Sequence, residues 1–516
     1  MNKIIKCRKY KITAFCTAIL AWIIWLVINE FIKTTKYESN FAIFSISWLG
    51  IIVCVIYLYF WKRVTNQIFS LLNIFLAFFA VFNFGQCFLW AIGIHSNVEI
   101  GKGLVFHSVM ADNNVILQAQ LLFIICYITF NTGALCALSN LKYKGILILR
   151  ERNIDNDIRY NILYLSSVVI AIFVIPITIF KSAITLYFTQ IYSYHDLYYG
   201  SIASNPLLDN FVVEIGKQLF FPVLLGILIG SRYSKKSRKF VYIIFILYAG
   251  ISLLGGDRGE WIQPFLIFIW AEWNLYKKYS IKKTIKWIIF GIIGLNFMNA
   301  IVNMRNIGLS WAGFVKNLTS SESNAIVSML FEFGHSMGIV IILLMQKVTP
   351  LYGNTYLMSI PTVFGTGVVN RLFKMNYVQL HTWFPQEYLK LSYGTDFSII
   401  GEALLNYGVY TAPFILFIEG IIISKISMIP QKVNVNPLKL VISMSCMASL
   451  IKLPRSTVWS SLNEIIYFTV ILVIVFNIFY FIHINKIKNK SKIIGEYSYK
   501  MKSCSNIKDN SCISKF

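Results

Sequence analysis

Apolar residues recur in long runs, separated by short polar stretches, through most of the chain. A run of about 17 to 25 such residues is what a helix needs to cross a ~30 Å hydrocarbon core. The pattern predicts twelve spans: 12–32, 41–60, 68–94, 115–139, 161–180, 211–230, 240–255, 261–276, 287–303, 403–424, 438–452 and 464–484. The expected fold class is therefore an all-α polytopic membrane protein of about twelve transmembrane helices. Nine spans fall in 1–303 and three in 403–485. Between them, 304–402 reads as one long non-spanning loop of short helices. Two apolar patches inside it, 337–345 and 356–369, are too short to cross and read as amphipathic or re-entrant pieces.

Charge orients these spans. The polar gaps alternate, and by count 33 of the 47 basic residues fall in every second one, starting with the N-terminal tail. Cytoplasmic segments concentrate Lys and Arg. The expected arrangement is a cytoplasmic membrane protein with both termini inside. The same bias accounts for a net charge of +25 without any nucleic-acid partner. The basic tail 486–516, rich in Lys, Ser and Asn, reads as disordered.

Composition narrows the chemistry further. Hydrophobic residues make up 57% and charged ones only 13%, about half the fraction in soluble domains. Of nine cysteines none lies in the long loop and none forms a C-x-x-C pair, so neither a disulfide framework nor a zinc site is expected. No phosphate-binding glycine loop and no nucleophile elbow occurs. Asp155 and Asp157 form a D-x-D in a loop too short for a nucleotide-binding domain. The chain is expected to need no metal and no cofactor.

The ionisable residues gather at the ends of spans on the face opposite the basic gaps. The turn GGDRGE, at 255–260, carries Arg258 between Asp257 and Glu260; Arg305 follows the ninth span; Arg455 lies in LPRST. A guanidinium fork suits phosphate oxygens, and three of them suit a lipid pyrophosphate, whose head group lies at this depth. Each is also explained by snorkelling or by pairing with neighbours. Glu332 and His335 are three apart in FEFGHS and share a face if helical, so the carboxylate can orient the imidazole for proton removal. A satisfied polar histidine is the plainer alternative. Asp396 and Glu402, in YGTDFSIIGE, fit either a general base or the cap of the following helix. Lesser signals are Glu214 with Lys217, three apart and able to pair with each other; Glu419 within a span, as in a proton relay; and the helix-packing pair Gly226 and Gly230.

Four segments together resemble the Wzy family of O-antigen and capsular repeat-unit polymerases. They are LLGGDRGEW, EFGHSMGIVIILLMQKVTPLYGNTYLMSIP, YGTDFSIIGEALLNYGVYTAPF and LPRSTVW. The resemblance covers much of 250–460, and the first 240 residues match only in hydropathy. It implies a GT-C-like scaffold and a glycosyltransferase that joins undecaprenyl-pyrophosphate-linked oligosaccharide repeats on the outer side of the membrane. Its implied partners are the lipid-linked oligosaccharide and membrane lipid, with a chain-length regulator and a flippase beside it. It assigns Arg258 to the family's arginine turn, Glu332 and Glu402 to its acids, and Arg455 to its basic outer turn; His335 follows it less closely. Alternatives are a lipid-linked oligosaccharide flippase or other transporter, and a ligase- or acyltransferase-like enzyme on the same scaffold. The acceptor separates them: a polymerase joins two lipid-linked repeats, a ligase joins a chain to a different lipid, and a flippase makes no bond.

Overall fold

A computed structural model describes residues 2–35, 40–96, 99–100, 111–138, 154–192, 210–255, 259–277, 286, 294, 325–346, 348–391, 395–431 and 435–509. Among them there is helix and no strand. In chain order the helices are α1 (Asn2–Thr34), α2 (Asn40–Thr65), α3 (Leu71–Trp90), α4 (Asn113–Cys136), α5 (Ile154–Ile191), α6 (Phe211–Gly230), α7 (Lys235–Leu254) and α8 (Gly259–Ala271). A π-helical turn, Glu272–Tyr276, prolongs α8. There follow α9 (Ala325–Phe333), α10 (Ser336–Gln346), α11 (Asn354–Met358), α12 (Thr366–Phe373), α13 (Leu380–Tyr388), α14 (Ile399–Tyr407), α15 (Ala412–Ser427), α16 (Pro437–Ile451) and α17 (Val458–Asp509).

Ten helical segments among the described residues are long and apolar enough to cross a membrane. The expected spans before 256, and those at 438–452 and 464–484, each coincide with one of them. The predicted span 287–303 lies, apart from residue 294, outside the described residues. Two expectations differ. The one at 261–276 is α8 and its π turn, 259–276, which is not among the ten. The one at 403–424 is broken at Gly408, whose φ of +80° is the left-handed region open to glycine, and so divides into α14 and α15.

The loop reading also needs a correction. Residues 326–346, made of α9 and α10, form a 21-residue candidate span inside the stretch expected not to cross. The patch 337–345, read as too short to cross, is preceded by α9, and Glu332 and His335 lie at the α9–α10 junction. There Gly334 abuts α3, and a Cβ on it would sit 2.5 Å from the Gln86 nitrogen. The polar groups thus meet the bundle rather than lipid, and the run keeps its apolar length. The patch 356–369 is divided among α11, a 3-10 turn at Pro361–Phe364 and α12. It leaves Leu357, Ile360, Phe364 and Val368 exposed, as expected of an amphipathic piece. The helix α17 runs past Lys486 to Asp509, where composition had indicated a disordered tail; the stretch contains no proline and one glycine.

The centre of the bundle is α3, α4 and α16, with most of their residues buried. Rings of Phe75, Phe79, Phe84, Phe123, Tyr127 and Phe130 interlock between α3 and α4. Aromatic pairs in such tilted or offset arrangements add to the area they bury. Two crossings depend on absent side chains. At Gly226 and Gly230 a Cβ would lie 2.1 Å from Ser167 Oγ and 2.6 Å from the Tyr164 nitrogen, so this pair packs α6 onto α5 as its spacing predicted. At Gly133 and Gly420 it would meet backbone oxygens of Phe417 and Phe130, pressing α4 onto α15. The outward faces of α1, α2, α7 and α17 expose Val27, Phe41, Ile246 and Phe481, the surface a lipid environment covers.

Candidate active site

One cavity of about 710 Å³ collects most of the charge at one end of the bundle. It is lined from α3 (Phe78, Phe82), α6 (Glu214, Lys217, Gln218), α8 (Gly259, Glu260, Gln263), α9 (Met329, Glu332, Phe333), the α16 end (Ser449, Lys452), the α16–α17 turn (Arg455) and α17 (Ser460, Glu464, Phe468). Asp396, just before α14, completes it. Residues up to 390 positions apart, Phe78 and Phe468, are thus brought together by the packing of α6, α8 and α9 around α3 and α16.

Arg455 is its focus. The 3-10 turn Leu453–Arg455 ends α16 because Pro454 cannot donate to a continuing helix. The turn places the guanidinium against Phe82 and Phe333, 5.9 and 5.6 Å from the ring centroids. Cations are attracted to ring faces at this range. Its Nη2 pairs with Asp396 Oδ2 at 2.6 Å, and the Phe397 N–H donates to the Arg455 carbonyl at 3.3 Å. Glu332 faces the same space. His335 is half-buried, and both Glu332 and Arg455 lie within electrostatic range of it. The His335 N–H also donates to the Glu332 carbonyl at 3.3 Å, in the turn that ends α9.

The opposite wall is made of ion pairs. Lys217 bonds Glu260, Lys452 bonds Glu464, and Lys181 bonds Glu214. The three-residue spacing of Glu214 and Lys217 allowed them to pair with each other; each instead reaches a different helix. Burial alone would raise the Glu260 carboxyl, but the Lys217 ammonium outweighs it, with Lys181 and Lys452 beyond, and holds the group below the usual carboxylate range. With Lys181, the partner of Glu214, included, Lys181, Lys217, Lys452 and Arg455 face Glu214, Glu260, Glu332, Asp396 and Glu464 along the described wall, a formal excess of one carboxylate. Paired ammonium and carboxylate groups beside Gln218, Gln263, Ser449 and Ser460 offer donors and acceptors together, as a polyhydroxyl ligand requires.

Glu402 stands apart from the cavity. It is 1% exposed. Its carboxylate accepts from Thr355 Oγ1 and from the Val458 N–H, both at 2.8 Å. Val458 is the first residue of α17, so a negative group here compensates the helix N-terminus. Asn406 ties the same knot, donating to Thr355 Oγ1 and to the Glu402 carbonyl at 2.8 Å. Burial pushes the Glu402 carboxyl up to about 7 against the two hydrogen bonds that favour its charge. Glu419, in α15, accepts from Tyr356 Oη at 3.1 Å.

Of the expected site residues, Glu332, Asp396 and Arg455 share the cavity and His335 adjoins it. Arg258, Arg305 and Asp257 lie outside the described residues, although Gly259, next in sequence to Arg258, lines the cavity. The sequence reading did not single out Lys452 and Glu464; an oppositely charged pair bracketing LPRST was the available signal. His381, one of the ionisable residues of 304–402, was given no role. It stacks on Trp459 with centroids 5.7 Å apart; burial lowers its imidazole and Asp396 opposes that. Among the described residues no group of three His, Cys, Asp or Glu side chains is arranged to hold a metal.

The family described as O-antigen polysaccharide polymerase Wzy matches residues 10–488. No curated protein and no solved structure gives a significant match.

Proposed function

The chain belongs to the O-antigen polysaccharide polymerase Wzy family, and on that premise we propose that it joins lipid-pyrophosphate-linked oligosaccharide repeats within the charged cavity. The reading takes this end of the bundle as extracytoplasmic, in agreement with the distribution of Lys and Arg along the chain. The single observation that carries it is the convergence of Glu332, Asp396 and Arg455 on one space with aromatic rings beneath.

The reaction exchanges one bond for another. The acceptor hydroxyl gives its proton to the Glu332 carboxylate. Its oxygen bonds to the anomeric carbon of the donor chain, and the bond from that carbon to the pyrophosphate oxygen breaks. Lipid pyrophosphate departs with the electron pair. Arg455 stabilises the departing charge, which is worth most where water is excluded. Asp396 holds the guanidinium in place from one side, and the Phe82 and Phe333 rings from below.

Two refinements follow from the charge count. A wall with excess carboxylate repels pyrophosphate unless further cations face it, which favours Arg258 and Arg305 as contributors. The Lys217–Glu260 and Lys452–Glu464 wall suits the acceptor sugar, whose hydroxyls both donate and accept. Glu402 serves as a positioning group at the start of α17 rather than as the base.

The test is purified protein in lipid discs supplied with a lipid-pyrophosphate oligosaccharide repeat, without nucleotide sugar or metal, followed by product sizing. A ladder of lipid-linked oligomers with release of lipid pyrophosphate supports the reading. Transfer only to a different lipid, or movement across a bilayer with no new bond, overturns it.

A further inference from the structure

Asn83 lies well inside α3, and its side chain is 1% exposed. A primary amide in that setting is costly unless its polar atoms are bonded. Both are. Asn83 Nδ2 donates to the Pro454 carbonyl at 2.9 Å, and Asn83 Oδ1 accepts from Ser398 Oγ at 2.6 Å. Pro454 immediately precedes Arg455, and Ser398 lies two residues after Asp396. One side chain therefore grips both segments that carry the Arg455–Asp396 ion pair.

The surroundings make the grip rigid. Ser398 is fully buried and caps α14, accepting from the Gly401 N–H at 3.1 Å. The Phe397 N–H bonds the Arg455 carbonyl, so the two segments are also joined to each other. Phe82, next to Asn83 on α3, lies under the guanidinium. The backbone on either side of Arg455 and Asp396 is thus referenced to one helix at the centre of the bundle.

We propose that Asn83 is a positioning residue for the reaction: it sets the direction of the Arg455 guanidinium by holding the Pro454 carbonyl and the Ser398 hydroxyl. This rests on the reading of Arg455 given above. An apolar residue of similar size would fill the same space in α3 but hold neither segment. A displacement of about 1 Å at a charge-stabilising group costs up to roughly a hundredfold in rate.

The experiment measures polymer formed per inserted protein in membranes, with the thermal midpoint of the detergent-purified protein beside it. Asn83→Leu is expected to lose about tenfold or more in rate per folded protein, beyond any fall in midpoint from the Pro454 carbonyl and Ser398 hydroxyl it leaves behind. Ser398→Ala removes one of the two bonds by a different route and is expected to lose less, with Ser398→Thr restoring function. In an Arg455→Lys background Asn83→Leu is expected to add no further loss, since the group it positions is already replaced. Independent multiplication of the two losses, or an Asn83→Leu loss that only follows the amount of folded protein, overturns the proposal. Full activity of Arg455→Lys and Arg455→Ala alone would instead remove the reading of the site, and this proposal with it.

Discussion

Arg455 Nη2 and Asp396 Oδ2 are 2.6 Å apart, and the two residues reach each other from segments separated by the whole of α14 and α15 and by α16. Asp396 is 60% exposed on its side chain, so the pair alone contributes little to stability. Its value is geometric: it aims a guanidinium into the cavity over two rings.

Replacing Arg455 by alanine is therefore expected to cost activity far more than stability. Loss of one preorganised charge-stabilising donor typically costs 10²–10³ in rate. Arg455→Lys keeps the charge but loses the planar fork and is expected to recover only part. Polysaccharide ladder length per unit of inserted protein measures both. An unchanged ladder from Arg455→Ala would remove the residue from the site.

The ion-pair wall allows a charge-exchange test. Lys217→Glu places a carboxylate beside Glu260, and polymer yield is expected to fall about tenfold or more. The double variant Lys217→Glu with Glu260→Lys is expected to regain most of it. Rescue by Glu214→Lys instead would mean that the pair lies within α6, against the cross-helix arrangement.

Glu402 supplies a pH dependence of stability. Its carboxyl rises from an ordinary 4.5 to about 7. Between those values the folded protein retains a proton that the unfolded chain has released. Stability from this group is therefore fully present below about 4.5, falls as pH rises to about 7, and is level above. The size is on the order of 3 kcal/mol. The thermal midpoint of the purified protein is expected to decline from pH 5 to 7 and to be flatter in Glu402→Gln. An equal slope in the variant would assign the effect to other groups.

Close packing at Gly420 has a plain consequence. A Cβ there would come within 2.1 Å of the Phe130 carbonyl oxygen, and backbone cannot yield cheaply. Gly420→Leu is expected to destabilise by about 1–3 kcal/mol or more and to reduce the amount of protein accumulating in the membrane. Gly250→Ala, where nothing lies within 4 Å, is the control and is expected to be neutral.

Much of this architecture is legible in hydropathy. Spans such as 211–230 reappear as helices with the same bounds because length and apolar content decide them. The misreadings share a cause. The patch 337–345 was counted as too short to cross, yet α9 carries the run back to Ile326 and Glu332 and His335 face the bundle; sequence alone does not distinguish a polar group facing lipid from one facing protein. Gly408 broke an apolar run that composition treated as continuous. At the site, Arg455 and Glu332 were readable as ionisable residues in apolar surroundings. The roles of Lys452, Glu464 and Asn83 were not, because each depends on a partner brought close by packing. Glu402 shows the converse: its position at the start of a helix fits a base and a structural anchor equally well, and its bonds to Thr355 and Val458, which favour the anchor, depend on packing.

The most direct test of the central claim is photocrosslinking of a lipid-pyrophosphate oligosaccharide to the purified protein in lipid discs, with adducts located by mass spectrometry. The account predicts adducts at 78–82, 329–333 and 455–460, competed away by unlabelled substrate and lost when activity is lost in Arg455→Ala. Adducts confined to other faces of the bundle, such as the surroundings of Glu419, with the cavity segments unlabelled, would contradict it.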